Sequence, residues 1–342
     1  MMRLRSLGLS IAVMLVAVAC GSTSPATSAT GYVPYPGPWA GPFPSKVDSI
    51  ASEVPASLRS AGPLQLATSS DALPIDGIDP NTGALVGWDV DVGAAICKVM
   101  GVVCTPNNVT FDDILAQLKA STPDEISNGD KPRYVFSIAG WTPTVERENS
   151  GIDFISYAQG GENWVERVGG PTITQALDMC GHTVVTGSGG IEEAQAWGFM
   201  GKQVGGVPIA GDKDNCTAAG KPDIKVLSLS GVPAVYEALI SGRADFVWDD
   251  GSIAYKVAQI NGSGPKKVQI GGSGCSESAY AIALVKGSPI EQAVTDAVKY
   301  IIDHGYYTKI LDHWSAQDSA IPSSEVSLNN NTVIGQPCVP NY

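Results

Sequence analysis

Short apolar or β-branched runs alternate with amphipathic helical stretches along most of this chain, and that alternation admits few folds. L-Q-L-A-T (64–68), Y-V-F-S-I-A-G (134–140), H-T-V-V-T (182–186), D-I-K-V-L-S-L (223–229) and A-D-F-V-W-D-D (244–250) read as strands. Between them lie helical patterns. Val92, Ile96, Val99 and Met100 fall at i, i+4, i+7 and i+8, on one helical face. Asp89 and Asp91 at its start suit the helix dipole, and Gly101 stops it. F-D-D-I-L-A-Q-L repeats the plan with Ile114, Leu115 and Leu118. I-E-E-A-Q-A-W, V-P-A-V-Y-E-A-L-I-S and a longer segment from about Pro289 to Asp303 follow suit, and Gly305 closes the last. Such alternation predicts an α/β protein with largely parallel sheets flanked by helices. The 342 residues suit about two domains.

The first residues set the compartment. Arg3 and Arg5 precede an apolar stretch, Leu7 to Val18, interrupted only by Ser10. It is too short to span a bilayer and matches the core of a secretory signal. V-A-V-A-C follows, with small residues before Cys20. That pattern resembles a bacterial lipobox, in which the cysteine takes a diacylglycerol and becomes the new N-terminus. Residues 1–19 are therefore expected to be removed, and Cys20 to anchor the protein on the outer face of the cytoplasmic membrane. Ala17 stands where a leucine is common, and ordinary cleavage after Ala19 is the alternative. No other stretch is apolar enough to cross a membrane.

Six cysteines remain: Cys97, Cys104, Cys180, Cys216, Cys275 and Cys338. An even number in an exported chain suggests disulfides, and sequence order suggests 97–104, 180–216 and 275–338. Zinc is a poor reading, because there is no C-x-x-C and the three histidines lack ligand spacing. No metal and no cofactor are expected. The formal charge of −13 and the absence of any Lys/Arg run argue against nucleic acid. Residues 20–54 begin as Ser, Thr, Gly and Pro and read as a tether. Tyr32, Tyr35, Trp39 and Phe43 within it are unusual for a spacer; they belong against the body or at the membrane surface. The segment from Ser121 to Arg133 reads as a polar surface insertion.

Four segments carry chemistry: G-W-D-V-D (87–91), A-G-W-T-P-T-V-E-R (139–147), T-G-S-G-G (186–190) and R-A-D-F-V-W-D-D (243–250). Each alone is weak. A lone G-x-S-G is ordinarily a turn, an isolated arginine beside Glu146 and Glu148 a solvated charge, and an aspartate ending a strand a cap. In this order and spacing they resemble the bacterial extracellular solute-binding proteins of family 3, the polar-amino-acid receptors of ABC importers. The similarity runs from about Pro55 to Trp314 and leans toward an actinobacterial-looking branch.

The resemblance implies a two-lobed periplasmic-binding-protein fold of type 2, with two hinge crossings. Lobe one would take residues 55–159 and 280–342, and lobe two residues 160–279. It implies a monomer that captures a free amino acid and delivers it to ABC permease subunits. Gly140, Thr142 and Arg147 would come from lobe one, and Ser188 and Asp250 from lobe two. An α-amino acid needs a bidentate cation for its carboxylate, neutral donors, and an anion for its ammonium. Arg147 would be the fork. Thr142 and Ser188 would donate hydroxyl and backbone N–H groups, with the helix opened by G-S-G-G favouring the anion. Asp250 and the Gly140 carbonyl would take the ammonium, with Asp249 as the competitor one residue away. Phe111 matches a position where an aromatic covers the ligand stem. Trp141 and Trp248 would line the pocket or simply pack.

Ser69 and Ala72 stand where relatives place an acidic residue and an aromatic, so side-chain recognition either differs here or is supplied by inserted loops; Asp71 could substitute by a shift. Pro143 rigidifies the carboxylate loop. Two other functions fit the same fold: a sensor subunit of a membrane signalling system, and a cyclohexadienyl-dehydratase-like enzyme. For the enzyme, Ser188, Glu162 or Asp250 would serve as acid or base. No nucleophile–histidine pair is evident, since His182 starts a strand, and the protein reads as a non-enzyme.

Overall fold

The computed structural model describes residues 35–272 and 277–330, together with a strand at 333–334. Fourteen strands occur among them: β1 Leu64–Thr68, β2 Asp71–Ala72, β3 Asp76–Ile78, β4 Leu85–Val86, β5 Cys104–Asn108, β6 Phe136–Trp141, β7 Ile152–Gly161, β8 Asn163–Arg167, β9 Thr183–Gly187, β10 Lys225–Leu229, β11 Phe246–Asp249, β12 Val268–Gly271, β13 Glu277–Val285 and β14 Val333–Ile334. They form two main sheets and a small antiparallel flap, β2-β3-β4.

The first sheet runs β14-β13-β6-β1-β5, with β7 also paired to β13. β1 is parallel to β5 and β6, whereas β13 is antiparallel to β6 and β7. Alternation in β1 divides the lobe's interior. Leu64 and Leu66 enter the larger core, and Ala67 the smaller one on the opposite side. The larger core is closed by the helices Trp88–Val99 and Glu291–Asp303, through Val92, Ile96, Val99 and through Val294, Val298, Ile301. The helix Phe111–Leu118 covers the other face with Ile114 and Leu118.

The second sheet runs β10-β9-β11-β8-β12; β9, β10 and β11 are parallel, and β8 is antiparallel to its neighbours. Adjacent residues again serve opposite faces. Trp164, Val184 and Phe246 enter one core with the helix Ile191–Phe199, and Val165, Val185 and Val247 enter another with the helix Val232–Ile240. The chain passes from the first sheet to the second where β7 meets β8, and returns between Gly271 and Glu277. The sheets are mixed rather than largely parallel, because the two crossing strands and their partners run antiparallel to the rest.

Cys97 is bonded to Cys104 and Cys180 to Cys216, in the order the sequence suggested. The first bond ties the helix Trp88–Val99 to β5. Cys20, Cys275, Cys338 and Tyr32 lie outside the described residues. No helix among the described residues is long and apolar enough to cross a membrane.

Two segments carry more structure than their sequence suggests. Of the two placements open to the aromatics of the segment read as a tether to residue 54, the body is the one found: Tyr35, Trp39, Phe43 and Val47 pack against the larger core. His313 Nε2 lies 2.9 Å from the Gly37 carbonyl and its ring meets Trp39 edge-on at 5.3 Å. Asp48–Glu53 is already helical, with Ile50 and Ala51 buried. A large apolar ring at every fourth position outweighs the Pro/Gly composition, since its burial favours docking. The insertion after Ala120 folds into the helix Pro123–Asn128, capped reciprocally by Thr122 and Glu125, with Ile126 buried. The helices Tyr306–His313 and Ile253–Asn261 lacked a clear sequence signal.

Candidate functional site

The two sheets direct their loops at one cavity of about 740 Å³, counting its open mouth. Near the end of β6 stands Gly140, whose φ of 58° lies in the left-handed region that favours glycine. Asp89 fixes that turn: its Oδ2 accepts the Gly140 N–H at 2.8 Å, and its Oδ1 accepts the Tyr157 hydroxyl. Asp89 is fully buried, which drives its carboxyl well above the usual range, aided by nearby Asp76 and opposed by the two hydrogen bonds. The G-W-D-V-D segment thus supports the site from beneath.

After β6 the chain turns through Thr142 and Pro143 into the short helix Val145–Asn149. Thr144 caps it, its hydroxyl accepting the Arg147 N–H at 3.2 Å. Arg147 therefore points back at the strand end. Its Nη1 donates to the Thr142 carbonyl at 2.7 Å, and its Nη2 crosses the cleft to the Gly189 carbonyl at 2.8 Å. The guanidinium lies 5.1 Å from the centroid of the Trp141 ring. Trp141 in turn stacks on Phe111 with centroids 4.2 Å apart. Phe111 lines the cavity, while Trp141 is buried behind it and donates to Ser137 Oγ at 2.9 Å. Burial lowers the pKa of Arg147, against the pull of Glu192, Asp250 and Glu146.

Lobe two brings the turn 187–190 between β9 and the helix Ile191–Phe199. Its backbone donors differ from the expectation. Ser188 N–H is taken by the Leu229 carbonyl at 3.0 Å, Gly189 N–H by Glu193 Oε2 at 2.9 Å, and Gly190 N–H by the Gly187 carbonyl at 3.2 Å. The N–H groups of these three residues are thus bonded within the lobe, because Glu193 folds back as a cap and β10 reads the strand end. Ser188 keeps its hydroxyl, and it lines the cavity.

β11 delivers the two adjacent aspartates. Asp249 Oδ2 accepts the Tyr236 hydroxyl at 2.9 Å and Lys256 Nζ at 2.8 Å. Asp250 offers only its backbone carbonyl to Lys256, at 3.0 Å. Burial pushes the Asp250 carboxyl up to about 6, against Lys256 and the nearby Tyr280 hydroxyl. Both aspartates line the cavity, and they differ in their partners rather than in their position.

Gly140, Thr142, Arg147, Phe111, Ser188 and Asp250 all meet there, and Trp141 does not reach the surface of the cavity. Further ionisable residues line it, Asp112 among them. Asp71 Oδ2 accepts the Val232 N–H across the cleft at 3.2 Å. Asp76 accepts Ser69 Oγ at 2.8 Å through Oδ2, while its buried Oδ1 has no partner. Burial raises the Asp76 carboxyl to about 6. Glu192 is buried with Oε1 unpartnered, and burial beside Asp250 and Glu162 raises it well above the usual range. Lys256 lines it as well. Asp76 lies in L-P-I-D-G-I-D-P-N-T-G (73–83), where Asp, Pro and Gly supply turn geometry and no site pattern, and Lys256 in a helix without a clear pattern. Asp71 was the one signalled beforehand, by the small residues at 69 and 72.

Other candidates lie elsewhere. Trp248 is buried, 6.2 Å from Trp164, and donates to Glu162 Oε2 at 3.1 Å. Glu162 also accepts Gln195 Nε2 at 2.9 Å and is not part of the cavity wall. His182 pairs with Asp245 at 3.2 Å, away from Ser188. Among the described residues no group of three His, Cys, Asp or Glu side chains is placed to hold a metal ion.

Six carboxyl groups and two basic side chains thus line the cavity, and the walls touch directly through Arg147–Gly189 and Asp71–Val232. The comparisons agree with this architecture. Over 292 residues the chain is 23% identical to the arginine-binding protein ArgT of Corynebacterium glutamicum, covering 85% of this chain and 87% of that one. Over 263 residues it is 23% identical to the putative ABC transporter arginine-binding protein 2 of Escherichia coli K12, covering 75% and 93%. An ancestral arginine-binding protein bound to arginine superposes with a TM-score of 0.59 at 27% identity, over 74% of this chain and 98% of that one. The same kind of ancestral protein bound to glutamine gives 0.60 at 27%, over 74% and 97%. With its two α/β lobes, one cleft between them, and a sequence signature matched over residues 64–317, the chain belongs to the bacterial extracellular solute-binding proteins, family 3.

Proposed function

We propose that the protein is the extracytoplasmic receptor of an ABC importer, anchored by a lipid on Cys20 after removal of residues 1–19. It captures, as a monomer, one free amino acid with a cationic side chain. Lobe one (55–159 and 280–342) and lobe two (160–279) close on the ligand, and permease subunits recognise the closed form. The observation that carries the reading is the meeting of Arg147, Thr142 and Gly140 with Ser188 and Asp250 in one cavity between the lobes. Arg147 forks onto the ligand carboxylate, and the Thr142 and Ser188 hydroxyls donate to it. Asp250 and the Gly140 carbonyl take the ammonium. Phe111 covers the stem, and Trp141 braces both Phe111 and Arg147 from behind.

The charge of the cavity supports a cationic side chain. Arg147 is committed to the carboxylate and Lys256 to Asp249. Asp71, Asp76, Asp112 and Asp250 then face a single ligand ammonium. A second positive charge on the ligand relieves their mutual repulsion. The relatives named as arginine-binding proteins support the same reading.

A thermal-shift screen of the purified protein against the common amino acids tests it, since a ligand that binds the native state raises the melt. Arginine, lysine or ornithine should raise the melting temperature, and glutamate should not. Absence of a shift with every amino acid, after unfolding and refolding to strip any carried ligand, refutes the reading. Release of the Cys20→Ala protein from the membrane fraction tests the anchor.

A further inference from the structure

Lys256 puts a positive charge inside a cleft that otherwise gathers carboxylates. It projects from the helix Ile253–Asn261 with only 5% of its side chain exposed. Its Nζ donates to Asp249 Oδ2 at 2.8 Å and to the Asp250 carbonyl at 3.0 Å. Burial disfavours the ammonium, but Asp249, Asp250 and Glu192 together raise its pKa, so it stays charged. The ion pair is built within lobe two, from a strand end and the following helix. It needs no ligand to form.

The position matters because Lys256 stands on the side of the cavity where Asp71 and Val232 also lie, continuous with an apolar groove lined by Leu73, Pro233 and Tyr236. Arg147 and Thr142 belong to the carboxylate end. Lys256 and Asp71 therefore flank the path of the ligand's side chain. Burial raises the Asp71 carboxyl above its ordinary value, and the Val232 N–H and the Lys256 ammonium oppose that rise.

We propose, resting on the amino-acid reading above, that Lys256 is the internal counter-cation that sets the charge selectivity of the cleft. It neutralises Asp249, so that lobe two offers one ionic acceptor, Asp250, to the ligand's ammonium. Recognition of a side-chain cation is thereby left to Asp71 and Asp76 of lobe one. A ligand cation cannot displace Lys256 from Asp249 without leaving a buried ammonium whose remaining partner is the neutral Asp250 carbonyl. Losing Lys256 exposes Asp249 to the ligand, and losing Asp249 leaves the ammonium facing it.

The test compares arginine with citrulline, which has nearly the same shape but no side-chain charge. Calorimetry gives the ratio of their affinities for the wild type, Lys256→Gln, Asp249→Asn and the double variant. The ratio in favour of arginine should rise about tenfold in Lys256→Gln, fall about tenfold in Asp249→Asn, and return to near the wild-type value in the double variant, as a coupled pair requires. Lys256→Arg, which keeps the charge, should leave the ratio in place. Should Lys256→Gln fail to melt cooperatively, Lys256→Met carries the same expectation. A ratio unmoved in cooperatively folded single variants overturns the assignment while leaving the amino-acid reading intact. Wild-type protein that binds neither ligand overturns both.

Discussion

Arg147 is bonded to both lobes at once: Nη1 holds the Thr142 carbonyl of its own lobe at 2.7 Å, and Nη2 the Gly189 carbonyl of the other at 2.8 Å. Removing it should therefore affect ligand capture and closure together. Arg147→Ala strips the cleft of its only fork, leaving the ligand carboxylate poorly paired in a desolvated site. The expected loss is roughly 3 kcal/mol or more, about a hundredfold in affinity. Titration calorimetry measures it; near-normal binding by this variant would sink the site assignment.

Ligand affinity and fold stability should respond to pH in opposite directions. Asp76 and Asp250 carry carboxyls raised to about 6 in the cleft, and Glu162 one raised to about 7 beside it. A cationic ligand prefers them ionised, so affinity should fall as pH drops through about 6. For folding the sign is reversed. A carboxyl with a raised pKa binds its proton more tightly in the native state, so the unliganded protein gains stability as pH falls from about 8 toward 5. Melting curves with and without ligand across that range separate the two trends. A ligand-induced shift that grows at acid pH would contradict the charge argument.

The fold was legible because its elements are locally consistent. The strand at 64–68 and the helices beginning at Trp88, Phe111, Ile191 and Val232 carry their own periodicity. The site was legible in part for the same reason, since Gly140, Arg147, Ser188 and Asp250 all sit at element ends. What escaped is non-local. Nothing near Lys256 in sequence reveals that Asp71 lies beside it, and nothing near Ser188 reveals that Glu193 and Leu229 consume the turn's N–H groups. The aromatic segment at 35–43 was ambiguous because its partner surface, His313 and Trp314, comes from the far end of the chain.

That segment should contribute measurably to stability. Trp39 packs on the larger core and against His313. Trp39→Ala should cost about 2–3 kcal/mol, below the span for a fully buried tryptophan because the ring is only partly buried. Chemical denaturation of the two proteins gives the difference. An unchanged midpoint would mean that residues 35–43 rest on the body without stabilising it.

The Cys180–Cys216 bond closes a loop with a sequence separation of 36, next to the core of lobe two. Constraining the unfolded chain this way is worth about 2–4 kcal/mol. Replacing both cysteines with alanine should lower the melting temperature by several degrees, with arginine still raising it, because neither sulfur lines the cavity. Loss of the ligand-induced shift in a protein that still melts cooperatively would show that the bond shapes the site.

Closure should depend on Gly251, which follows Asp250. Its φ is 73°, a region that L side chains rarely adopt. A Cβ there would sit 2.6 Å from the Tyr280 hydroxyl and 2.9 Å from Ile75 Cδ1, both in lobe one. Tyr280 and Ile75 are buried in the larger core, so neither can retreat freely. Gly251→Ala should consequently wedge the lobes apart and tilt Asp250 away from Gly140. Affinity should fall at least tenfold while each lobe keeps its fold. Small-angle scattering in saturating arginine should show a larger radius of gyration for the variant than for the wild type. Equal radii with equal affinities would show that the loop after β11 absorbs the methyl group and that closure does not turn on this contact.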